Sequence, residues 1–522
     1  MARVEFTEAF SNLGPWPGRL LEDDGGSTIV TRSAKNFVFR FGEDHDFAGY
    51  TVRVAGRGFS YDSGEAIAGT MTGITFQDAS GATILTIRSI NASAFAADFA
   101  QFFSNVFGSR VGDNDGPNPD ANSAWSHLLA GNDTFIGGDF RDRRILPGVN
   151  GGNDTFQMGG GDDQMGGGIG NDRYDGGDGN DVITFRETTY NVGQTAIQGI
   201  EVDVAAGRII DAWGGTDTFV NVERFEGSRF NDTFIGDGAR NEFSGLRGND
   251  VFIGGGDQDR LHYDNDYWQG GRRGIVVDLQ TSVDGQGRIK GTIRDGFGNR
   301  DTTYDIERVR GTRFDDKFVG STQNNSFWGG EGKDSYDGDD GFDSVRFNSQ
   351  FTDTALGGIN IDLTRRTGQV IDDGFGNTET MTNIESVIGG WQADRMKGNS
   401  ADNQFQGGEG ADTLIGGGGS DTFYFDGTYE LDAADTVTDF RTAAGANRDY
   451  LAFYIEEFAG MTDTVNLVNG TRATSAQGQF IFNRANDTLF WDADGTGSGA
   501  ALAIVRLTGV NALSADNILL WD

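Results

Sequence analysis

The 522-residue sequence contains no cysteine, only five prolines and only three histidines. Without cysteine, the chain has no disulfide scaffold, no thiol nucleophile and no thiolate metal ligand. Basic residues are also scarce, since 41 Lys and Arg stand against 79 Asp and Glu and leave a net charge of −38. So acidic a chain argues against nucleic acid and anionic membranes as partners. No run approaches about 18 consecutive apolar residues, so we expect no membrane insertion.

Glycine is abundant instead, with 83 residues and no collagen-like triplet, which predicts many tight turns. A hydrophobic content of 36%, with 40 Phe, is too high for a simple disordered chain. Residues 1–14 lack a basic segment followed by an apolar one, so we expect no ordinary N-terminal secretory signal.

A nine-residue repeat organises most of the sequence. Residues 167–184 hold two copies of Gly-Gly-x-Gly-x-Asp-x-U-x, where U is apolar, and the same phase recurs in four blocks. The carboxylate position predicts metal ligands at Asp154, Asp163, Asp172, Asp181, Glu223, Asp232, Asn241, Asp250, Asp259, Glu307, Asp316, Asn325, Asp334, Asp343, Glu385, Asp394, Asn403, Asp412 and Asp421. The turn glycines predicted to add ligands are Gly152, Gly161, Gly168, Gly170, Gly177, Gly179, Gly248, Gly330, Gly332, Gly408, Gly410, Gly417 and Gly419.

The spacing has a mechanical interpretation. Glycine at the first, second and fourth positions allows a tight six-residue turn, and x-U-x is long enough for one short strand with its middle side chain inward. Two nonapeptides would then make one flattened coil with a stacked apolar ladder inside. Stacked turns bring carboxylate and carbonyl oxygens together, and such a donor set without imidazole or thiolate suits Ca²⁺. All five prolines precede residue 148, which spares the amide donors of the stacked strands.

Two features modify the pattern. Glu223, Glu307 and Glu385 stand nine residues before the first Asp of their blocks, so we predict that they ligate or cap the first coil; a solvated Glu beside a strand is the alternative. The second Asp of those blocks is Asn, which removes a charge, and the fourth-position Gly is missing from their first two repeats. We expect weaker calcium binding or none there. Adaptation to high salt would also give an acidic chain, but it does not need Asp every nine residues behind Gly.

The motif resembles the nonapeptide of the RTX (repeats-in-toxin) family, also called haemolysin-type calcium-binding repeats. The resemblance covers residues 128–522 and implies a parallel β-roll, several bound Ca²⁺ ions and calcium-dependent folding. It also implies bacterial secretion by a type I machinery that reads an uncleaved C-terminal signal, and therefore an extracellular or cell-surface location. Segments 439–440, 447–449, 480–510 and 517–522 look like the β-rich cap and terminal signal of such proteins.

The expected fold class is all-β: a parallel β-roll solenoid in four blocks, with β-hairpin inserts, a small N-terminal β-rich domain and a C-terminal β cap. Phe95, Phe99, Phe102 and Phe103 have helical spacing and predict one helix in the N-terminal domain. The predicted boundaries are 1–107 for the N-terminal domain, 108–127 for a linker, 128–184 for block 1, 185–262, 263–346 and 347–424 for an insert plus block each, and 425–522 for the cap and secretion signal.

An enzyme is not expected. The histidines His45, His127 and His262 lie far apart, and neither an HExxH zinc motif nor a GxSxG elbow occurs. The favoured function is a secreted structural protein that folds and self-associates on extracellular calcium, as a surface layer, sheet or filament. An adhesin or ligand-binding protein that uses its N-terminal domain, with cell-surface polysaccharide as a candidate partner, is the alternative. An enzyme with an unfamiliar site in residues 1–107 is the third hypothesis.

Overall fold

The computed structural model describes backbone and side chains for residues 152–186, 196–347, 357–427, 434–443, 445 and 447–521, and it describes the backbone of seven strands before residue 152. Two compact units divide the chain, Met1–Asp259 and Arg260–Asp522. In the described residues regular structure is almost all β-strand, with short 3-10 helices at Asp266–Gln269, Ile455–Glu457 and Ala515–Asn517. Within these residues no helix is both long and apolar enough to cross a membrane.

The first unit begins with an antiparallel sheet. Its strands are β1 (Arg3–Phe6), β2 (Thr28–Arg32), β3 (Asn36–Arg40), β4 (Thr51–Asp62), β5 (Glu65–Gln77) and β6 (Thr83–Ala92), and β7 (Thr134–Ile136) follows. Neighbours from β2 to β6 pair antiparallel, while β1 pairs antiparallel with β6 and parallel with β7. These strands confirm the β-rich N-terminal domain. The helix predicted around Phe95–Phe103 and the linker at 108–127 lie outside the described residues.

A parallel roll occupies the rest of the first unit. Its strands are β8 (Thr155–Gln157), β9 (Gln164–Met165), β10 (Arg173–Asp175), β11 (Val182–Thr184), β12 (Glu201–Asp203), β13 (Arg208–Ile210), β14 (Thr216–Val220), β15 (Arg224–Glu226), β16 (Thr233–Ile235), β17 (Glu242–Ser244) and β18 (Val251–Ile253). One face stacks β8, β10 and β14, and the opposite face stacks β9, β11, β15 and β17, all in parallel. Alternate nonapeptides therefore pair, which confirms two nonapeptides per coil.

The first insert, between blocks 1 and 2, is a unit of three strands, β12, β13 and β14. Its outer strands, β12 and β14, also belong to the roll. β13 pairs antiparallel with both β12 and β14, while β14 stacks on β10 and β12 stacks on β16 in parallel. The predicted hairpin therefore carries the sheet from one block to the next. Because β14 stacks on a strand of the roll, insert residues next to β14 lie in a turn of the roll.

The second unit repeats this plan. Its strands are β19 (Arg260–His262), β20 (Val276–Val283), β21 (Ile289–Arg294), β22 (Arg300–Tyr304), β23 (Arg308–Arg310), β24 (Lys317–Ser321), β25 (Ser326–Trp328), β26 (Ser335–Asp339), β27 (Ser344–Arg346), β28 (Asn360–Asp362), β29 (Val370–Asp372), β30 (Thr380–Thr382), β31 (Ser386–Ile388), β32 (Arg395–Lys397), β33 (Gln404–Gln406), β34 (Thr413–Ile415), β35 (Thr422–Phe425), β36 (Asp435–Val437), β37 (Tyr450–Tyr454), β38 (Leu467–Asn469), β39 (Gln479–Asn483), β40 (Thr488–Asp492), β41 (Leu502–Leu507) and β42 (Ile518–Trp521). A continuous parallel stack runs through β19, β23, β25, β27, β31, β33, β35, β37 and β42. At the C-terminal end β41, β40 and β39 pair antiparallel, which gives the predicted β cap.

The core is the ladder of U side chains between the two faces of the roll. The central residue of each described nonapeptide strand is buried, and phenylalanines such as Phe234, Phe243 and Phe252 have no exposed surface. Rings one coil apart stack, with centroids 5.1 Å apart for Phe234 and Phe252 and 5.2 Å apart for Phe318 and Tyr336. Burying such a side chain contributes roughly 1.5–3 kcal/mol, so the ladder supplies much of the driving force for stacking.

Candidate calcium sites in the turns of the roll

Each nonapeptide aspartate ends a turn, just before its short strand. In eight repeats the Oδ1 at this position accepts a hydrogen bond from the backbone N–H of the residue eighteen positions earlier, one coil back in the roll. The donor–acceptor pairs are Asp154–Asp172, Asp163–Asp181, Asp232–Asp250, Asn241–Asp259, Asp316–Asp334, Asn325–Asp343, Asp394–Asp412 and Asn403–Asp421, at 2.6–2.9 Å. The first aspartates of the later blocks, Asp232, Asp316 and Asp394, accept theirs from the insert residues Ile200, Ile275 and Ile359. Carboxylates from successive coils therefore line each side of the roll, as the nine-residue phase predicts.

The second carboxylate oxygen has a different environment in four of the repeats. Within the described residues, the Oδ2 atoms of Asp172, Asp181, Asp343 and Asp412 are buried and have no hydrogen-bond partner. A buried charged oxygen without a donor costs several kcal/mol, so each of these atoms calls for a cation or a proton. The structure thus offers an oxygen at the place where the repeat predicts a ligand.

Glycine is required where the turn closes over this oxygen. A Cβ on Gly167 would lie 2.0 Å from Asp172 Oδ2, and one on Gly407 would lie 2.0 Å from Asp412 Oδ2. Most of the predicted glycine ligands also have positive φ, between 80° and 128°, at Gly161, Gly168, Gly177, Gly330, Gly332, Gly408, Gly410, Gly417 and Gly419. Larger residues would therefore displace the carboxylate or strain the backbone.

Burial has a direct electrostatic consequence. It raises the pKa of Asp181 and Asp412 to about 6 and the pKa of Asp172 and Asp343 to about 7. Desolvation is the largest cause in each case, because burial disfavours the charged form. A bound cation would act in the opposite direction and favour ionisation.

The donor set fits a hard cation. Within the described part of the chain, no group of three or more His, Cys, Asp or Glu side chains is placed to hold a metal by itself. A turn of this roll therefore cannot form a site from side chains alone; it offers carboxylate oxygens together with backbone carbonyls. Ca²⁺ accepts six to eight such oxygens in flexible geometry, whereas imidazole and thiolate ligands would favour other metals.

In the imperfect repeats, the side-chain oxygens of the Asp and Asn residues accept hydrogen bonds from the protein itself. Asp232 Oδ2 accepts the N–H of Ser228 at 2.7 Å, and Asp316 Oδ2 accepts that of Thr312 at 2.7 Å. Asp394 Oδ2 accepts the N–H of Gly390 at 2.7 Å in the same way. The Oδ1 atoms of the asparagines accept backbone N–H groups inside their own turns, at 2.9 Å for Asn241, 2.6 Å for Asn325 and 2.9 Å for Asn403. These turns have less need of a cation, in line with the weaker binding expected from sequence.

The predicted glutamates occupy the carboxylate position of a coil. Glu223 Oε2 accepts the N–H of Asp181 at 2.8 Å, and Glu385 Oε2 accepts that of Asp343 at 3.0 Å. Glu307 is buried at the matching place before β23. The hydrogen bonds of Glu223 and Glu385 are those of a cap, and ligation by the three glutamates stays a prediction.

Sequence analysis missed four carboxylates that take the same position. Asp217 accepts the N–H of Asp172, Glu379 that of Asp334, Asp435 that of Asp412 and Asp449 that of Asp421, at 2.8–3.2 Å. Their separations are 45, 45, 23 and 28 residues instead of eighteen, because inserted segments break the phase. A local signal exists in two of them, since Thr-Asp-Thr-Phe219 and Thr-Glu-Thr-Met381 match the x-Asp-x-U end of a nonapeptide.

In the last turn of the roll, the guanidinium of an arginine supplies a positive charge. The Arg441 guanidinium donates to Asp421 Oδ2 at 2.9 Å and to the Gly419 carbonyl at 2.8 Å, both of which were predicted calcium ligands. It also donates to Asp449 Oδ1 at 2.9 Å. A positive charge on a carboxylate and a glycine carbonyl of one turn is the arrangement expected of a cation site.

A family model agrees with this geometry. The family model for the RTX calcium-binding nonapeptide repeat matches in four copies, at residues 149–183, 223–266, 310–345 and 388–424. No curated protein matches the chain. The crystal structure of extracellular lipase LipA from Serratia marcescens is similar at 11% identity and a TM-score of 0.19, over 95% of this chain and 86% of that one. A likeness with so low a TM-score carries no argument about activity.

Proposed function

Because the chain belongs to the RTX family of calcium-binding repeat proteins, we propose that it is a secreted structural protein whose β-roll folds and self-associates on extracellular calcium. The observation that carries the proposal is that the buried Oδ2 atoms of four turn aspartates accept no hydrogen bond within the described residues. They belong to Asp172 and Asp181 in the first unit and to Asp343 and Asp412 in the second. Ca²⁺ would be held by these carboxylates and the turn carbonyls, where it would neutralise the buried charge.

Calcium would act on folding by mass action. A site that meets free Ca²⁺ at about 100 times its Kd adds roughly 2.7 kcal/mol to the stability of the folded state. Several sites together exceed the usual stability of a domain, about 5–15 kcal/mol. In a calcium-poor cytosol a chain of net charge −38 would repel itself and stay open. This supports export in an unfolded form through a type I machinery, followed by folding outside the cell.

The C-terminal sheet edge supports self-association. β42 is the terminal strand of its sheet and pairs with β37, and no described strand pairs with its second edge. Leu519 and Trp521 on this strand are 41% and 40% exposed. An open edge with apolar side chains is a template for a strand of another molecule.

Negative-stain electron microscopy of the purified full chain, first in EDTA and then in millimolar calcium, tests this function. Ordered sheets or filaments that form only with calcium are the expected result. Dispersed particles in both conditions would contradict self-association while leaving calcium-dependent folding intact.

An edge variant locates the contact. Leu519→Lys places a charge on β42 and should prevent assembly without changing the circular dichroism gained on calcium addition. Trp268→Lys is the matched control, because Trp268 is 71% exposed but lies away from this edge, on the 3-10 helix Asp266–Gln269. Equal assembly by the Leu519 variant would exclude β42 as the contact.

The alternative function is an adhesin. The N-terminal strands β4 and β5 are 12 and 13 residues long, in contrast to the three-residue strands of the roll, and this favours a separate module with its own surface. Cell-surface polysaccharide is the ligand class to screen against the full chain if no assembly forms.

We propose no catalytic role. His262, the only histidine in the described residues, is buried in β19, and its Nδ1 lies 3.6 Å from Asp264 Oδ1. Its imidazole is therefore shielded from bulk solvent.

A further inference from the structure

The insert between blocks 2 and 3 carries an exposed group of aromatic and basic side chains. Trp268, on the 3-10 helix of this insert, is 71% exposed, and its ring centroid lies 5.1 Å from that of Tyr267. The guanidinium carbons of Arg272 and Arg313 lie 4.9 and 4.6 Å from the centroid of the Tyr267 ring, in cation–π geometry. These four residues, together with the neighbouring Arg273, form what we call the basic aromatic surface.

The arginines of this surface have donors to offer an anion. Arg272 donates from Nη1 to two backbone carbonyls of its own segment, at 2.9 and 2.8 Å, which fixes its guanidinium; within the described residues its Nε and Nη2 donate no hydrogen bond. Arg273 is exposed, and its side chain makes no hydrogen bond or ion pair in the described part of the chain. Arg313 pairs with Glu331 at 2.8 Å, but both side chains are more than a third exposed, so this ion pair is weak. A guanidinium with open N–H groups binds a carboxylate through two parallel hydrogen bonds.

Positive charge continues over the turn between β21 and β22. The Arg273 guanidinium lies against this turn, because a Cβ on Gly298 would lie 3.2 Å from Arg273 Nη1. Arg294 and Arg300 flank the turn, lie directly opposite each other in the β21–β22 pair and are both exposed. A chain of net charge −38 therefore has exposed arginines from three segments at this place.

The chemistry of the surface favours a sugar polymer that carries carboxylates. The C–H face of a sugar ring can pack on the exposed indole of Trp268, where it removes apolar surface from water, while the arginines take the carboxylates. Nucleic acid fits less well, because a duplex carries one charge per about 1.7 Å and the acidic chain repels so dense a polyanion. An acidic polysaccharide has its charges spaced along the sugar rings and is repelled less.

We propose that the basic aromatic surface binds an acidic polysaccharide whose sugars carry carboxylate groups. Trp268 packs on a sugar ring, and Arg272, Arg273 and Arg313 bind its carboxylates. The inference goes beyond the proposed function, because it gives the second unit a ligand of its own, and it does not depend on self-association. It is also separate from the N-terminal surface of the adhesin alternative.

Fluorescence anisotropy of labelled glycans, titrated with the full-length chain in saturating calcium, tests the site. The probes are a hyaluronan octasaccharide and a carboxymethyl-dextran of similar length, and their neutral counterparts are carboxyl-reduced hyaluronan and dextran. The wild-type chain should bind both acidic glycans, more weakly as salt rises, and neither neutral one. Failure to bind either acidic glycan, equal binding of the neutral ones, or tighter binding of single-stranded DNA or of anionic phospholipid vesicles would overturn the proposal.

A double variant locates the site. Trp268→Ala combined with Arg273→Ala should weaken binding of the acidic glycans at least about tenfold. Trp391→Ala combined with Arg366→Ala is the matched control and should bind as the wild type does. Trp391 is 43% exposed and Arg366 is exposed, yet neither contacts the other type of side chain within the described residues. Both double variants should keep the circular dichroism gained on calcium addition, and equal affinities of the two would contradict the site.

A second measurement uses the wild-type chain alone and so protects the test from misfolding. Phenylglyoxal modifies exposed arginines, and mass spectrometry reads the extent at each position. Saturating acidic glycan should slow the modification of Arg273 and leave that of Arg366 unchanged. Equal modification of Arg273 with and without the glycan would contradict the site even if the double variant fails to fold. Absence of assembly in calcium would instead overturn the proposed self-association and leave glycan binding intact, so the two failures are distinguishable.

Discussion

Asp172→Asn should change stability in opposite directions with and without calcium. Asparagine keeps the Oδ1 that accepts the Asp154 N–H at 2.7 Å, so the coil-to-coil hydrogen bond survives. It removes the negative charge from the buried Oδ2, which has no donor among the described residues. The variant therefore separates the charge of the turn from its hydrogen bonding.

The magnitude follows from the raised pKa. Burial raises the pKa of Asp172 from 3.8 to about 7, so the folded state favours the protonated form. Stability is then lost as the pH rises from 3.8 to about 7, and above that the ionised group costs about 4 kcal/mol at roughly 1.4 kcal/mol per pKa unit. Without calcium near neutral pH or above, the variant should be more stable by up to this amount. With calcium at about 100 times Kd it should lose about 2.7 kcal/mol from the missing site.

Urea unfolding followed by circular dichroism measures both values, in EDTA and in saturating calcium, with an osmolyte to keep the calcium-free chain folded. Asp284→Asn is the control, because the Asp284 carboxylate lies in the turn between β20 and β21, outside the nonapeptide pattern, and its Oδ2 already pairs with the Arg288 guanidinium at 2.8 Å. That variant should be destabilised by a similar amount in both conditions. Equal destabilisation of the Asp172 variant with and without calcium would refute the reasoning.

Three further results are expected. In EDTA, acidification from about pH 8 to pH 5 should fold the chain, because protons neutralise buried carboxyls whose pKa values are raised. The pKa of Asp217, for example, is raised to about 9. A circular dichroism signal that does not change with pH would contradict this. With the same osmolyte to keep the calcium-free chain folded, Arg441→Gln should destabilise the last turn by about 3 kcal/mol in EDTA, because it leaves the Asp421 carboxylate without its cation. Calcium should restore part of this loss in urea unfolding. With calcium bound, Phe243→Ala should lower the free energy of unfolding by about 3–5 kcal/mol, because Phe243 is fully buried. Trp268→Ala should lower it by less than about 0.5 kcal/mol, because Trp268 is 71% exposed. Equal shifts in melting temperature for the two variants would argue against the ladder as the core.

The repeat made the roll predictable. Positions nine residues apart fixed the turns, the inward side chains and the pairing of alternate nonapeptides, and Asp172 and Asp181 lie where that phase put them. The glutamates were also found by phase alone, and Glu223 and Glu385 hold the expected position. Local regularity was enough here because each coil repeats the same contacts.

Residues that depend on the path of an insert were not predictable. Asp217 and Glu379 reach their coils only because a three-stranded insert returns to the roll 45 residues after the preceding repeat. Arg441 reaches Asp421 through the fold of the C-terminal cap, and no motif marks that contact. Likewise, the donors that satisfy Asp232 and Asp316 depend on a turn conformation that the missing glycine alone does not specify.

The central claim is that calcium in the turns drives folding of the roll, and hydrogen exchange of the full-length chain in EDTA and in calcium tests it most directly. The account predicts that the backbone amides of β10, β11, β34 and β35 exchange rapidly in EDTA near neutral pH and become strongly protected on calcium addition. Strong protection of these strands in EDTA at the same pH would contradict it.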